Sequence, residues 1–297
     1  MALTTLAEFD RRRHLIDTAS GPTSYVDVGN GPPAVFVHGV GTSSYLWRRV
    51  IDRVSARRRC IAVDLPAHGF TPAAPQQDLR LGALARFVAD VCTALDLGRL
   101  DLVANDTGGA VAQIVAARDP ARLRSLTLTD CDSHDRVPPK AFRPTVLLAR
   151  AGLLAPLGRF AHRWLTADRL RTRLYGTTYQ DPGVLPDDQL RVWTQSLASA
   201  AGARQFQRFV AGLRPDDLLA VEPQLAAMEV PTLLVWGTDD VFFPISDARW
   251  LLDTIPGAEE IVEIDGGRLF FPDERPDELA TALLRHWAAH SPTRRQG

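Results

Sequence analysis

The chain has a single lysine, Lys140; every other basic residue is arginine, a bias of the kind a GC-rich bacterial genome imposes. Cysteine is scarce as well. Cys60, Cys92 and Cys131 are odd in number and far apart. That spacing fits neither a disulfide framework nor a zinc site, and it points to a reducing cytoplasm. No apolar run approaches the ~18 residues of a membrane span. The opening stretch MALTTLAEFDRRR has no apolar segment ahead of its charges, so no secretory signal is expected. Neither sign of charge dominates: 34 Lys and Arg face 35 Asp and Glu. Nucleic acid is therefore not an expected partner. Nothing in the pattern calls for a cofactor, a metal or a membrane anchor, and the oligomeric state, monomer or homodimer, is left open.

What is present is a chain of 297 residues in which short apolar runs alternate with helical patterns. Runs at 25–28, 34–37, 60–63, 100–104, 126–129, 232–236 and 260–264 read as strands. The stretches 44–54, 81–97 and 109–118 read as helices. This alternation predicts an α/β fold, a mostly parallel twisted sheet flanked by helices. The strand pattern stops near Pro138 and resumes near Val230. The economical division is a core made of 1–137 and 226–297, with 138–225 inserted as a helical lid. The stretch from Arg136 to Arg214 holds 13 Lys or Arg against 4 Asp or Glu. Solvated arginine-rich faces account for this, or the charge steers an anionic substrate. The sequence shows no amphipathic anchor pattern that singles out a membrane surface.

Chemistry concentrates at LVANDTGGA, Leu102 to Ala110, where an apolar strand ends in Asp106, two glycines follow and a helix begins. Such a turn lifts one side chain above the carboxyl end of a sheet at a helix N-terminus, as it does for the serine of G-x-S-x-G hydrolases. A carboxylate there is a nucleophile suited to sp³ carbon; the plain alternative is a helix N-cap. The strand ending at His38-Gly39 leads into a loop whose Val40 N–H, with the Thr107 N–H, can form an oxyanion hole. His38 and His68 shape loops, with His38 also near the expected pocket. LLVWGTDDVFFP, Leu233 to Pro244, places Asp239 and Asp240 after a strand as candidate acids.

These motifs resemble the α/β-hydrolase superfamily over almost the whole chain, and within it the aspartate-nucleophile branch of haloalkane dehalogenases and epoxide hydrolases. HGVGTSSYLWR is similar to the loop of those dehalogenases, and NDTGG stands where they place the nucleophile. The resemblance implies Asp240 as the acid, since it lies four residues after Trp236 and four before Pro244. It also implies a catalytic histidine six residues before Glu274 and eight before Pro276. The residue there is Arg268, and no histidine lies between Asp240 and Arg285. A guanidinium with pKa above about 12 cannot act as the base. Where the dehalogenases carry a halide-holding indole and often an asparagine, this chain has Thr107 and Val40.

Arg268 is expected to bridge Asp106 and Asp240, lowering the pKa of Asp106, or to hold an anionic group of a substrate. His134, just past the sixth core strand in TDCDSHDRVPP, is the candidate surrogate base, and Asp130 an alternative acid. Trp164, Tyr175, Tyr179 and Trp193 are candidate pocket residues, the tyrosines by analogy with epoxide hydrolases, although packing explains each as well. Three functions follow. The first is hydrolysis of a small, partly apolar electrophile with a non-standard or missing base. The second is proton transfer, elimination or rearrangement of an anionic substrate by Asp106 and Arg268. The third is a silent binding protein.

Overall fold

The computed structural model describes residues 5–290. Eight strands form one sheet: β1 (Arg13–Thr18), β2 (Gly21–Val28), β3 (Pro33–Val37), β4 (Arg59–Val63), β5 (Leu100–Asp106), β6 (Leu123–Cys131), β7 (Thr232–Gly237) and β8 (Ala258–Ile264). Their order across the sheet is β1-β2-β4-β3-β5-β6-β7-β8. β1 and β2 run antiparallel, and β3 to β8 run parallel. The expected α/β architecture is thus present. The sequence reading omitted β1, an edge strand of alternating exposure that holds His14 and Asp17 and shows no apolar repeat.

The parallel strands are apolar because helices cover both faces of the sheet; β5 is buried at every position. From β3 the chain moves outward to β4, then crosses back to β5 on the other side of β3. Such a reversal opens a crevice at the carboxyl ends of β3 and β5. The Gly39–Val40 loop and Asp106 lie at those two ends.

The segment predicted as one helix over 44–54 is a 3-10 turn, Ser44–Trp47, followed by the helix Arg48–Val54. Between β6 and β7 the described chain forms only helices and turns, including Arg143–Arg150, Leu154–Trp164, Asp187–Thr194 and Ala200–Ala211. A cavity of about 290 Å³ lies between this insertion and the carboxyl end of the sheet. No helix among the described residues is long and apolar enough to cross a membrane.

Candidate active site

Asp106 ends β5 with φ 58° and ψ −136°, outside the regions open to ordinary residues. A backbone held in that state at the tip of a strand–helix turn projects its side chain outward. The turn closes only because its neighbours lack side chains. A Cβ on Gly109 would stand 2.2 Å from that of Cys131, and one on Gly39 would stand 2.3 Å from the Asp106 side chain. The loop after β3 therefore rests directly on the carboxylate. The Val40 N–H donates to Asp106 Oδ2 at 2.8 Å, and the Thr107 N–H also hydrogen-bonds the carboxylate. The carboxylate is thus met by two backbone donors and borders the cavity.

Burial pushes the Asp106 pKa up to about 7, against the two N–H donors that pull it down; Asp240 adds a smaller upward push. The sequence reading expected the opposite shift, from a guanidinium beside Asp106. Arg268 is not there. Its Nη1 donates to the Tyr179 carbonyl at 3.0 Å and reaches that of Gly176 at 3.5 Å. The expected Asp106–Arg268–Asp240 bridge is absent from the ion pairs among the described residues. The cause lies in the loop after β8. Asn105 Nδ2 holds the Leu269 carbonyl at 3.0 Å, and the Phe270 N–H donates to Thr178 O at 2.9 Å. Leu269 and Phe270 are thereby turned into the cavity wall. Residue 268 faces the insertion, where the unpaired carbonyls at the end of a helical turn accept its guanidinium.

Asp240 and Asp130 meet instead. Asp240 Oδ1 caps its own turn by accepting the N–H groups of Phe242 at 2.6 Å and Phe243 at 3.2 Å. Asp130 Oδ1 accepts the Gly237 N–H at 2.8 Å. Their remaining oxygens have no other partner, and the two carboxyls hydrogen-bond each other. Two buried carboxylates in contact cannot both ionise. Burial and the neighbouring Asp240 drive Asp130 far up, and burial raises Asp240 too, so the pair holds a proton between them. Asp239 is exposed.

His134 is a correction. It sits at φ 49°, which turns the chain away from the crevice. Its Nδ1 pairs with Glu222 at 3.1 Å, its ring packs on Trp250 at 5.0 Å, and its side chain is 41% exposed. It does not border the cavity, and no histidine among the described residues does. His38 is also misplaced as a pocket residue. Its Nε2 accepts the Leu65 N–H at 3.0 Å and its Nδ1 lies 2.8 Å from the Gly39 carbonyl, so the ring is spent on shaping the loop. Trp164 is 66% exposed and points outward.

Tyr175 and Trp193 do line the cavity, packed with Phe270. Tyr175 donates its hydroxyl to the Gly41 carbonyl at 2.8 Å. Tyr179 lies behind the wall and donates to Asp273 Oδ2 at 2.9 Å. Asp273 also accepts Gln189 Nε2 at 2.8 Å and, on its other oxygen, Arg48 Nη1 at 2.7 Å. Neither tyrosine presents a free proton to the cavity. The Trp193 indole N–H has no protein partner.

Sequence reasoning missed the role of Asp132. It is fully buried and accepts the Thr107 hydroxyl at 3.2 Å, with its other oxygen unpartnered. Burial and the nearby Asp106 drive its pKa well up, favouring the neutral acid. Its place in TDCDS was visible, but nothing in that spacing shows which aspartate turns under the elbow.

Residues 32–275 match the model of the alpha/beta hydrolase fold family. Haloalkane dehalogenase 2 of Mycobacterium tuberculosis is 30% identical over 285 residues, covering 91% of this chain and 93% of that protein. A haloalkane dehalogenase of Agrobacterium fabrum is 31% identical, covering 88% and 86%. The crystal structure of haloalkane dehalogenase DbeA from Bradyrhizobium elkani superposes with a TM-score of 0.80 at 21% identity, covering 94% of this chain and 98% of that one. The chain belongs to the α/β-hydrolase fold family, in its haloalkane dehalogenase branch.

Proposed function

We propose that Asp106 is alkylated by a small, largely apolar haloalkane and that the resulting ester is long-lived. The supporting observation is the Asp106 carboxylate, its Oδ2 held by the Val40 N–H, with the Thr107 N–H beside it, at the border of the cavity. The other oxygen attacks the carbon. A C–O bond forms as the carbon–halogen bond breaks, and the halide leaves with the bonding pair. Trp193 borders the same cavity and its indole N–H has no protein acceptor, so it is the donor we assign to the departing halide on reorientation of the ring. The segment 138–225 acts as a lid that keeps water out.

Breaking the ester needs a water stripped of its proton, a service worth roughly 10²–10⁴-fold in rate. Arg268 cannot supply it, His134 is turned away, and Asp240 shares a proton with Asp130. Epoxides are the poorer substrate, since both lid tyrosines give their hydroxyl protons to protein acceptors. Intact-mass measurement after incubation with short chloro-, bromo- and iodoalkanes tests this reading. One added alkyl group per chain, absent in Asp106→Asn, is expected. Neither adduct nor halide release across the panel would defeat it.

The raised pKa favours a second reading, in which Asp106 takes a proton from a carbon acid held in the cavity. A base poised near 7 suits that task. Deuterium uptake by a carbonyl substrate without any adduct would favour it over alkylation.

A further inference from the structure

The lid carries an apolar stripe on its outside. Leu153, Leu157, Phe160 and Trp164 follow one another at intervals of four, three and four residues, which places them on one face of the helix Leu154–Trp164. They are 49%, 51%, 62% and 66% exposed. The neighbouring helix Arg143–Arg150 adds Leu147, 64% exposed. Isolated exposed leucines need no explanation, but a contiguous set including a phenylalanine and a tryptophan marks an interaction surface. The inward side of the same helix is occupied, with Ala155 buried and Leu154 and Gly158 lining the cavity.

The charge around the stripe is of one sign. From residue 136 to 167 the chain has six Lys or Arg and no Asp or Glu. Lys140, Arg143, Arg150, Arg159 and Arg163 are all exposed. The Arg163 guanidinium lies over the Trp164 ring at 5.0 Å, and Phe160 stands 6.4 Å from that ring. The surface thus joins an apolar ridge, an aromatic at its end and a cationic margin.

We propose that this outer face docks on an anionic phospholipid surface. A lipid interface offers both halves of what the face requires, an acyl boundary for the ridge and negative headgroups for the margin. A second copy of the chain fits less well. A two-fold contact sets each patch against itself and so opposes cation to cation. The 3.6-residue period of this helix is visible in the sequence, but the period alone leaves open which face the protein covers. The proposal is independent of the chemistry at Asp106.

The test is co-sedimentation of the full chain with phosphatidylcholine vesicles, with and without phosphatidylglycerol. Each cation near an anionic surface strengthens partitioning about fivefold, so binding should be confined to the anionic vesicles and fall steeply with salt. The pair Arg159→Glu with Arg163→Glu should abolish it. The pair Phe160→Ser with Trp164→Ser should weaken it at least tenfold, a loss on the order of two buried aromatic side chains. Circular dichroism melts should show both variants folded; none of these four side chains borders the cavity. Failure of the folded protein to sediment, or sedimentation unchanged in both variants, overturns the proposal. So does a dimer that Phe160→Ser with Trp164→Ser converts to monomer in analytical ultracentrifugation, which would assign the face to a second copy.

Discussion

At the elbow, Asp106 is positioned almost wholly by backbone: a strained φ, glycines that permit close approach, and two N–H donors. Across the cavity, at the ends of β6, β7 and β8, the side chains of Asp130, Asp240 and Arg268 are the elements that turn: Arg268 reaches the carbonyls of the inserted segment while Asp130 and Asp240 share a proton. Backbone geometry survives the exchange of side chains, so the frame around Asp106 does not depend on which residue stands at position 268. A contact made by the end of a long side chain, as at Arg268, is remade by a single substitution. The difference separates the two halves of the reaction, capture of a carbon and its release.

The sharpest way to break this comparison is Asp106→Asn. If the elbow is the seat of capture, the alkyl adduct disappears entirely from the mass spectrum. The same variant should be more stable than the parent above pH 7. It removes a carboxylate whose ionisation burial opposes, and a pKa raised to about 7 corresponds to at most on the order of 4 kcal/mol. An adduct that persists in Asp106→Asn, located by peptide mapping, would move the nucleophile elsewhere.

Arg268→His probes the other half. The shorter imidazole cannot reach the Tyr179 carbonyl as the guanidinium does, and if it turns back toward Asp106 it should raise ester hydrolysis by on the order of 10²-fold, the low end of general-base assistance. Single-turnover decay of the adduct measures it. An unchanged decay would mean that the corner is blocked by Leu269 and Phe270 rather than merely lacking a base.

Acidity sharpens the contrast. On the proposed reading the ionised form of Asp106 attacks, and its pKa is raised to about 7, so the alkylation rate should climb about tenfold per pH unit below 7 and level off above. Stability runs the other way. Between the ordinary carboxylate pKa of ~3.9 and about 7 the native state holds a proton that the unfolded state has lost, so this group's contribution declines as pH rises. A flat alkylation profile from pH 5 to 8 would remove the case for a desolvated carboxylate. The smallest effect is expected from Asp130→Asn. The amide can donate to Asp240 where the acid proton did, and its oxygen can still accept the Gly237 N–H. Thermal unfolding should shift by less than about 1 kcal/mol, within the range of surface changes; a large loss would show that Asp130 is ionised.

The same contrast explains what the sequence could disclose. The elbow, the loop after His38 and the parallel core were legible because turns and buried strands constrain residue type strongly: Gly39, Gly108 and Gly109 cannot be replaced by much else. The corner was not. Arg268 was identified from spacing alone, and spacing locates a Cα without fixing where a long side chain reaches. His134 was assigned to the site because it follows β6 closely, but a positive φ three residues past the strand turned it toward Glu222. Tyr175 and Tyr179 were both placed in the lid, yet only contacts distant in sequence, with Gly41 and Asp273, decide that their hydroxyls are occupied. β1 escaped notice because an exposed edge strand need not be apolar.

Asp273 has a mechanical consequence. Its carboxylate grips Arg48 in the core with one oxygen and Tyr179 and Gln189 in the lid with the other, all of them buried. Tearing out one partner of such a buried pair costs about 3–5 kcal/mol. The helices Arg143–Arg150 and Leu154–Trp164 have no comparable rivet to the core. A buried charged contact therefore pins the insertion to the core at the Asp273 edge of the cavity.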